Sequence, residues 1–449
     1  MLPYIAKRLF LFFPTLLLLI LFTFLLSKWV PGDPVLFHLE NPDFAIGERQ
    51  TKISRQIYRQ TAKDLFLDRP NFYFSILPSN FPDTLYLIPR RDRPFLKMLL
   101  VNYGYWPAIQ EFYSHLESDQ ISFIAIPSFR TKEQFEQHMG AIYNEMSDNP
   151  GSDTARQDLL HHYEALLANK NLNGIWMPKF RWYGFRNQFH RWLTNTISFN
   201  FGTSIEDSQP VINKIFRALR WTLIVNIPSL LLAYAIAIPL GLYAGYYRSR
   251  WPDQAISFLV FLLYSIPLFW SATMLIVFFS TSEYGEWTNI FPAAGIWESP
   301  AEGGFFSLFA RNKGQFLIPI ICLTSVLVAF ITRQLRQAVS GEMEKSYVWQ
   351  ERARGFPEGY ILWKSVFKNS SFPLITMMAG LLPASISGAL VLEVICNIPG
   401  MGRLMYQGIF NRDWNVVLGV IYMSGILTIM GVLLSDILYK WINPRVKFR

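Results

Sequence analysis

Apolar residues are distributed unevenly along this 449-residue chain. Six stretches contain no Asp, Glu, Lys or Arg: Leu9–Ser27, Trp221–Tyr247, Ala255–Ser282, Gly314–Thr332, Asn369–Leu392 and Trp414–Ser435. About 20 apolar residues, at 1.5 Å of rise each, cross a ~30 Å hydrocarbon layer. The pattern therefore predicts six membrane-spanning helices. From Pro31 to Arg220 the longest charge-free run is Trp192–Ile205, too short to span, so this region faces water. Pro31-Gly32-Asp33-Pro34 is the turn that stops the first helix. Within the water-facing region, apolar residues at 3–4 spacing predict amphipathic helices over Gln50–Leu67, Arg93–Asn102, Pro107–Glu117, Thr131–Met146, Thr154–Ala168 and Arg181–Thr196. In Thr154–Ala168, Leu159, Tyr163, Leu166 and Leu167 form one stripe. Ile121–Ile126 reads as a strand without an evident partner, and stacked helical hairpins are the expected build from about Pro78 to Lys179.

Composition agrees with a membrane protein. Only 16% of the residues are charged, against about 25% in soluble domains, and 51% are hydrophobic. A soluble enzyme is excluded. Lys7 and Arg8 precede the first apolar run as they would in a signal peptide. That run is longer than a typical signal core, and Lys28-Trp29-Val30-Pro31 offers no small-residue cleavage site, so it reads as a retained helix. The two cysteines, Cys322 and Cys396, lie in or at the end of spanning runs, so the water-facing region folds without disulfides.

Charge sets the orientation. With six spans both termini share one side. Lys7 and Arg8, the 248–253 loop, the 333–368 loop and the tail after Tyr439 together carry a net +10, against a net charge of +9 for the whole chain. Fifteen Lys and Arg lie on that side, whereas the short loops opposite hold four: Arg311, Lys313, Arg403 and Arg412. The positive-inside rule places both termini in the cytoplasm and residues 31–220 outside. The basic balance is thus topology, and no nucleic-acid partner follows from it. The expected fold is an all-α integral membrane protein: residues 1–30 with the first helix, a mainly helical extracytoplasmic region 31–220, and a five-helix core 221–449.

Catalytic and metal motifs are absent. There is no phosphate-cradling G-x-x-x-x-G-K-[ST] and no H-E-x-x-H; the adjacent His161 and His162 point to different faces of a helix. The acidic Asp148–Asp158 segment lacks the calcium-loop spacing. No cofactor and no metal is expected.

The 333–368 loop is longer than a connection requires. Its sequence predicts a helix over Glu342–Arg354, a break at Gly355-Phe356-Pro357 and a second helix over Tyr360–Lys368. Aromatic Tyr347, Trp349 and Phe356 among charges make either a docking surface or an interfacial helix on anionic lipid. Glu393 ends a spanning run, where a carboxylate needs a partner or water, and pairs with Arg403 or meets substrate; Asp436 pairs with Lys440 or does likewise. Pro228, Pro239, Pro267, Pro319 and Pro383 predict kinks.

Several of these segments together resemble the permease subunits of bacterial ABC importers of the dipeptide/oligopeptide/nickel family. The opening Tyr4–Leu9, Pro14-Thr15 and Val30–Pro34 is similar to that family's N-terminus. Arg352-Ala353-Arg354-Gly355 with Pro373 matches its cytoplasmic "EAA" loop. Glu393, Pro399-Gly400-Met401-Gly402-Arg403 and Arg412-Asp413 match its last outer loop, and Asp436, Tyr439 and Asn443-Pro444-Arg445 its C-terminus. The chain departs from the pattern at Glu351, where a small residue is usual, and at Ser365–Lys368. The landmarks Leu67–Pro70 and Phe199–Gly202 stand closer together in the family, so residues about 78–180 look like an insertion.

The resemblance implies a non-catalytic subunit forming half of a translocation pathway in the bacterial inner membrane. It also implies a second homologous permease subunit as heterodimer partner, two cytoplasmic ABC ATPases and an extracytoplasmic substrate-binding protein. Tyr347, Glu351, Arg352, Ala353, Arg354 and Gly355 are then the ATPase-coupling residues, and Glu393, Pro399, Gly400, Gly402, Arg403 and Asp413 the outer loop or gate. Short peptides are the implied cargo, with nickel chelates and sugars in the same group. The rival readings are a membrane-anchored receptor with the 78–180 module as sensor, an ATP-independent secondary transporter or channel, and an intramembrane enzyme. A fused cytoplasmic effector would mark the first, and paired intramembrane acids or inverted repeats the second.

Overall fold

The computed structural model describes residues 2–30, 33–35, 55–89, 92–116, 131–148, 154–292, 295, 310–387 and 389–442. The Ile121–Ile126 strand and the 443–445 motif lie outside them, as do the side chains of Asp436 and Lys440. After α1 (Leu2–Trp29), two units divide the chain: Trp29–Ser198, and Met1–Lys28 together with Phe199–Arg449.

The first unit contains α2 (Arg55–Asp64), β1 (Phe74–Pro78), α3 (Arg93–Tyr103), α4 (Trp106–Leu116), α5 (Lys132–Asp148), α6 (Thr154–Ala168), β2 (Pro178–Trp182) and α7 (Gln188–Ile197). The predicted periodicity is realised in α3 to α6, whose apolar stripes converge on one core. Phe95, Leu99, Ile109, Phe112, Phe135 and Leu159 are buried there. Phe135 sits between Phe95 and Phe112, with ring centroids at 5.6 and 5.8 Å in edge contacts that favour aromatic packing. The stripe in α6 is narrower than expected: Leu159 and Leu166 are buried and Tyr163 packs on the core, but Leu167 stays 43% exposed.

Two departures share one cause. Arg181 and Trp182, expected to be helical, belong to β2, which pairs antiparallel with β1 in the register Phe74↔Trp182, Ile76↔Phe180 and Pro78↔Pro178. Helix begins only at Gln188, where the Asn187 side chain accepts the His190 backbone N–H at 2.8 Å as an N-cap. Neither strand is recognisable locally, because its partner lies about a hundred residues away. The ladder stops at the facing prolines, which have no N–H to donate. The chain therefore leaves at Pro78 and returns at Pro178 to adjacent points.

The second unit continues with α8 (Val211–Tyr246), α9 (Trp251–Ser265), α10 (Leu268–Phe279), α11 (Leu317–Met343) and α12 (Ser346–Ala353). A helical stretch from Glu358 to Ser370 then contains a π-helical turn at Ile361–Val366. The last elements are α13 (Phe372–Ser387), α14 (Leu390–Ile395), α15 (Met401–Phe410) and α16 (Trp414–Ile442). Ala233 and Ala237 of α8 share a buried core with Ile331, Leu335 and Val339 of α11. Small residues on one helix let the other approach closely, the usual means of helix association in lipid. The Tyr234 hydroxyl donates to the Leu374 carbonyl of α13 at 3.1 Å.

Among the described residues four helices are long and apolar enough to cross a membrane: Phe10–Trp29, Val211–Tyr246, Leu317–Met343 and Trp414–Leu434. The expected third span is not straight. It is the pair α9 and α10, bent by 89°. Pro267 explains the bend: its ring excludes the α region for Ile266, which is extended at ψ 119. The expected fifth span, Asn369–Leu392, is divided between α13 and α14. The inner loop also starts later than expected, since α11 runs through Arg333 to Met343 before α12 begins.

Candidate functional site

The inner-loop residues separate into an inward and an outward set. Tyr347 points inward and donates to Glu342 Oε2 at 2.9 Å; burial pushes its hydroxyl up to about 12, so it remains a neutral donor. Glu351 also turns inward, accepting from Ser365 Oγ at 2.8 Å. The departure from the family's small residue thus ties α12 to the π-helical turn and leaves the outer face clear. Beside them Val348, Ile361 and Val366 are buried and clamp the two segments together.

Arg352 lies between the two sets. Its guanidinium grips Glu358 through Nε (2.7 Å) and Nη2 (3.1 Å) and holds that carboxyl below its usual range. The same group lies over the Trp349 ring at 5.4 Å. The pair closes the break between the two helices within this chain, so Arg352 is already engaged. Ala353, Arg354 and Gly355 are exposed, and Arg354 has no ion pair among the described residues.

The turn at Gly355 is a Schellman cap. Its N–H donates to the Arg352 carbonyl at 2.9 Å, and the Phe356 N–H to the Glu351 carbonyl at 3.2 Å. Gly355 has φ +81, a conformation that costs an L side chain roughly 1–2 kcal/mol. Phe356 and Tyr360 stack at 5.0 Å with Lys364 over Tyr360 at 4.7 Å, and Trp349 and Trp363 are exposed. Tyr360, Trp363 and Lys364 share this exposed face with the expected residues, and the 356/360 aromatic spacing is the sequence signal that points to them.

Of the residues expected in the last outer loop, Gly400, Gly402 and Arg403 gather at the Glu393 carboxylate. Glu393 is 3% exposed. Thr222 Oγ1 of α8 donates to its Oε1 at 2.8 Å, while the backbone N–H groups of Gly402 and Arg403 donate to its Oε2 at 2.7 and 3.1 Å. The expected pairing with Arg403 is therefore made through the backbone amide, because the carboxylate lies at the N-terminus of α15, where unpaired amides and the helix dipole favour an anion. Thr222 Oγ1 also accepts the Met401 N–H at 2.8 Å. Gly400 and Gly402 are required by close approach. A Cβ on Gly400 would lie 2.4 Å from the Glu393 carboxyl carbon, and one on Gly402 2.5 Å from the Leu390 Cα. Pro399 is half-buried in the turn before α15.

Asp413, 1% exposed, makes a second junction. It accepts from Ser204 Oγ (2.5 Å), the Ile205 N–H (3.0 Å) and the Val416 N–H (3.3 Å), joining the 199–210 segment to the start of α16. Lys214 reaches the same junction through Ser204 Oγ at 3.0 Å and Asp207 at 3.0 Å. Thr222 and Ser204 carry no sequence signal, since a lone hydroxyl at a helix end is commonplace. Replacing Thr222 by Val keeps its shape but leaves a buried carboxylate oxygen and the Met401 amide short of a partner, at a cost of about 1–3 kcal/mol. The midpoint of thermal unfolding in detergent should fall for Thr222→Val and recover in Thr222→Ser. An unchanged midpoint in the valine variant would show that the hydroxyl is not the link.

Known proteins similar to this chain identify its family. The family described as binding-protein-dependent transport system inner membrane component matches residues 237–448. The oligopeptide transport system permease protein AppB of Bacillus subtilis is 31% identical over 262 residues, 58% of this chain and 80% of that protein. The probable D,D-dipeptide transport system permease protein DdpB of Escherichia coli is 30% identical over 274 residues, 58% of this chain and 79% of that one. A solved chain of the MetNI methionine ABC transporter, in an inward-facing form, overlays with TM-score 0.40 at 17% identity, covering 51% of this chain and 96% of its own. The chain belongs to the binding-protein-dependent transport system inner membrane component family, and is the non-catalytic permease component of an ABC importer.

Proposed function

We propose that this chain forms half of the pathway of a peptide importer, pairing with a second, similar permease and seating its Ala353–Gly355 face in a cleft of a cytoplasmic ATPase. The observation that carries the reading is the division of the inner loop. Tyr347, Glu351 and Arg352 are spent on internal bonds, so the exposed Ala353, Arg354, Gly355 and Trp349 stand on a braced support. That support follows directly from α11, which continues from its apolar run to Met343. A braced helix end transmits closure of an ATPase as rigid-body movement. Peptide cargo is favoured by the relatives, which are named oligopeptide and D,D-dipeptide permeases.

In this reading the chain crosses the membrane six times. The bent α9–α10 pair makes one crossing, and α13 with α14 makes another whose break lies near Glu393. Both termini are cytoplasmic, and residues 31–220 are extracytoplasmic. Residues 78–180 form an outer cap that receives the substrate-binding protein. The adjacency of Pro78 and Pro178 supports an inserted module, and so does its own buried core.

Three measurements test this. Cysteines at the exposed positions Lys170 and Gly359 should label oppositely in intact cells: Lys170→Cys reacts with an impermeant thiol reagent and Gly359→Cys does not. Reversed labelling would overturn the orientation and ATPase docking together. Ala353→Phe adds bulk to an exposed position, so the loop itself should fold, while overpacking in a cleft costs ~1–3 kcal/mol. Substrate-stimulated ATP hydrolysis should be lost in Ala353→Phe with the subunit still in the membrane; full coupling would move the contact elsewhere. Because Pro78 and Pro178 face each other, a short Gly/Ser bridge can replace residues 79–177 and leave the β1–β2 pairing in place. That deletion should keep membrane insertion and basal ATPase activity while weakening delivery by the binding protein. Failure to assemble with the partner permease would make the module part of the heterodimer instead.

A further inference from the structure

A groove of about 580 Å³ lies between α9 and α11. The helices run antiparallel here, joined where Arg336 Nη2 donates to Asp253 Oδ2 at 2.7 Å. Asp253 is buried at 2% exposure and also accepts the Ser249 N–H at 2.8 Å and Ser257 Oγ at 3.2 Å, so the charge of Arg336 is matched.

The groove is polar at one end and apolar at the other. Near the Asp253 junction its walls include Ser257, Arg333 and Gln337; deeper along the helices they are Val260, Tyr264 and Phe330. Ile256 and Tyr264 both line it, eight residues apart on α9, so it extends about 12 Å along the helix axis.

Arg333 is the first charged residue after the 314–332 apolar run, which places it at the edge of the hydrocarbon layer. It is exposed and has no ion pair among the described residues. Beside it Thr332, also a lining residue, is 1% exposed, and its Oγ1 is buried without a hydrogen-bond partner among the described residues.

We propose that this groove binds one anionic glycerophospholipid. The phosphate lies against Arg333 and Gln337, and an acyl chain follows Val260, Tyr264 and Phe330. The match is in depth as well as chemistry. A membrane phosphate sits where the apolar layer ends, an unmatched arginine selects an anion, and the deep end repels water but suits hydrocarbon. A peptide or free phosphate would leave the apolar end uncovered. The site concerns the lipid around the permease and does not depend on its cargo or its ATPase.

The test uses the full chain with its co-purifying subunits in nanodiscs of equal parts phosphatidylglycerol and phosphatidylcholine. A photo-crosslinking residue replaces Phe330, and the adducts are identified by mass spectrometry. Phosphatidylglycerol adducts should exceed phosphatidylcholine adducts by roughly fivefold, the factor that one unpaired basic residue near a membrane surface supplies. Arg333→Gln should remove the preference and Arg333→Lys largely keep it, and excess inorganic phosphate should not displace the lipid. Equal yields of the two lipids, displacement by phosphate, or adducts to a peptide or to the second permease would each overturn the proposal. Because the readout is lipid, failure here leaves the transport reading untouched, and failure of transport leaves this result standing.

Discussion

Three buried carboxylates hold the second unit at the places where its helices end. Asp253, Glu393 and Asp413 are each no more than 3% exposed, and each gathers donors from separate parts of the chain. An unpaired charge in such a place costs several kcal/mol, so a buried carboxylate persists only with a full set of donors. Glu393 draws on α8 and on the amides opening α15; Asp413 draws on the 199–210 segment and the first turn of α16. Asp253 joins α9 to α11 through Arg336. At these three places directional bonds supply the position that the hydrophobic pattern does not specify.

Apolar packing does a different task. Between lipid and helix there is little difference in polarity, so burial alone positions spanning helices weakly. Ala233 and Ala237 against Leu335 and Val339 provide close contact between α8 and α11. The directional bonds at the ends then set register. The inner loop follows the same rule in miniature. Val348, Ile361 and Val366 bury its base, and Arg352–Glu358 with the Gly355 cap orient its exposed end. The coupling proposed for this loop rests on this division, because a loop that yields cannot transmit a movement.

The residues that resembled family landmarks fell into two kinds. Gly400 and Gly402 are small because the Glu393 carboxylate and the Leu390 backbone come within contact distance. Gly355 is a glycine because its backbone is left-handed. Both reasons belong to the chain's own geometry. Ala353 and Arg354 have no such internal reason: they are exposed, and their chemistry is free for another molecule. This separates the residues that build the loop from those available to a partner more sharply than resemblance does.

The sequence by itself determined the class of the protein. Charge-free runs long enough to cross a bilayer, helical periodicity in α3 to α6 and the motifs around Gly355 and Glu393 are local features, readable within a few turns of chain. Their legibility has a physical basis, since a helix satisfies its own backbone and carries its periodicity in adjacent residues. Only the tertiary structure decided what depends on distant partners. The β1–β2 ladder joins strands about a hundred residues apart, Thr222 and Ser204 became carboxylate donors, and Glu393 met the Arg403 amide. The 89° bend at Pro267 lies between these cases. A proline announces that a helix breaks, but the angle is set by what the two halves pack against.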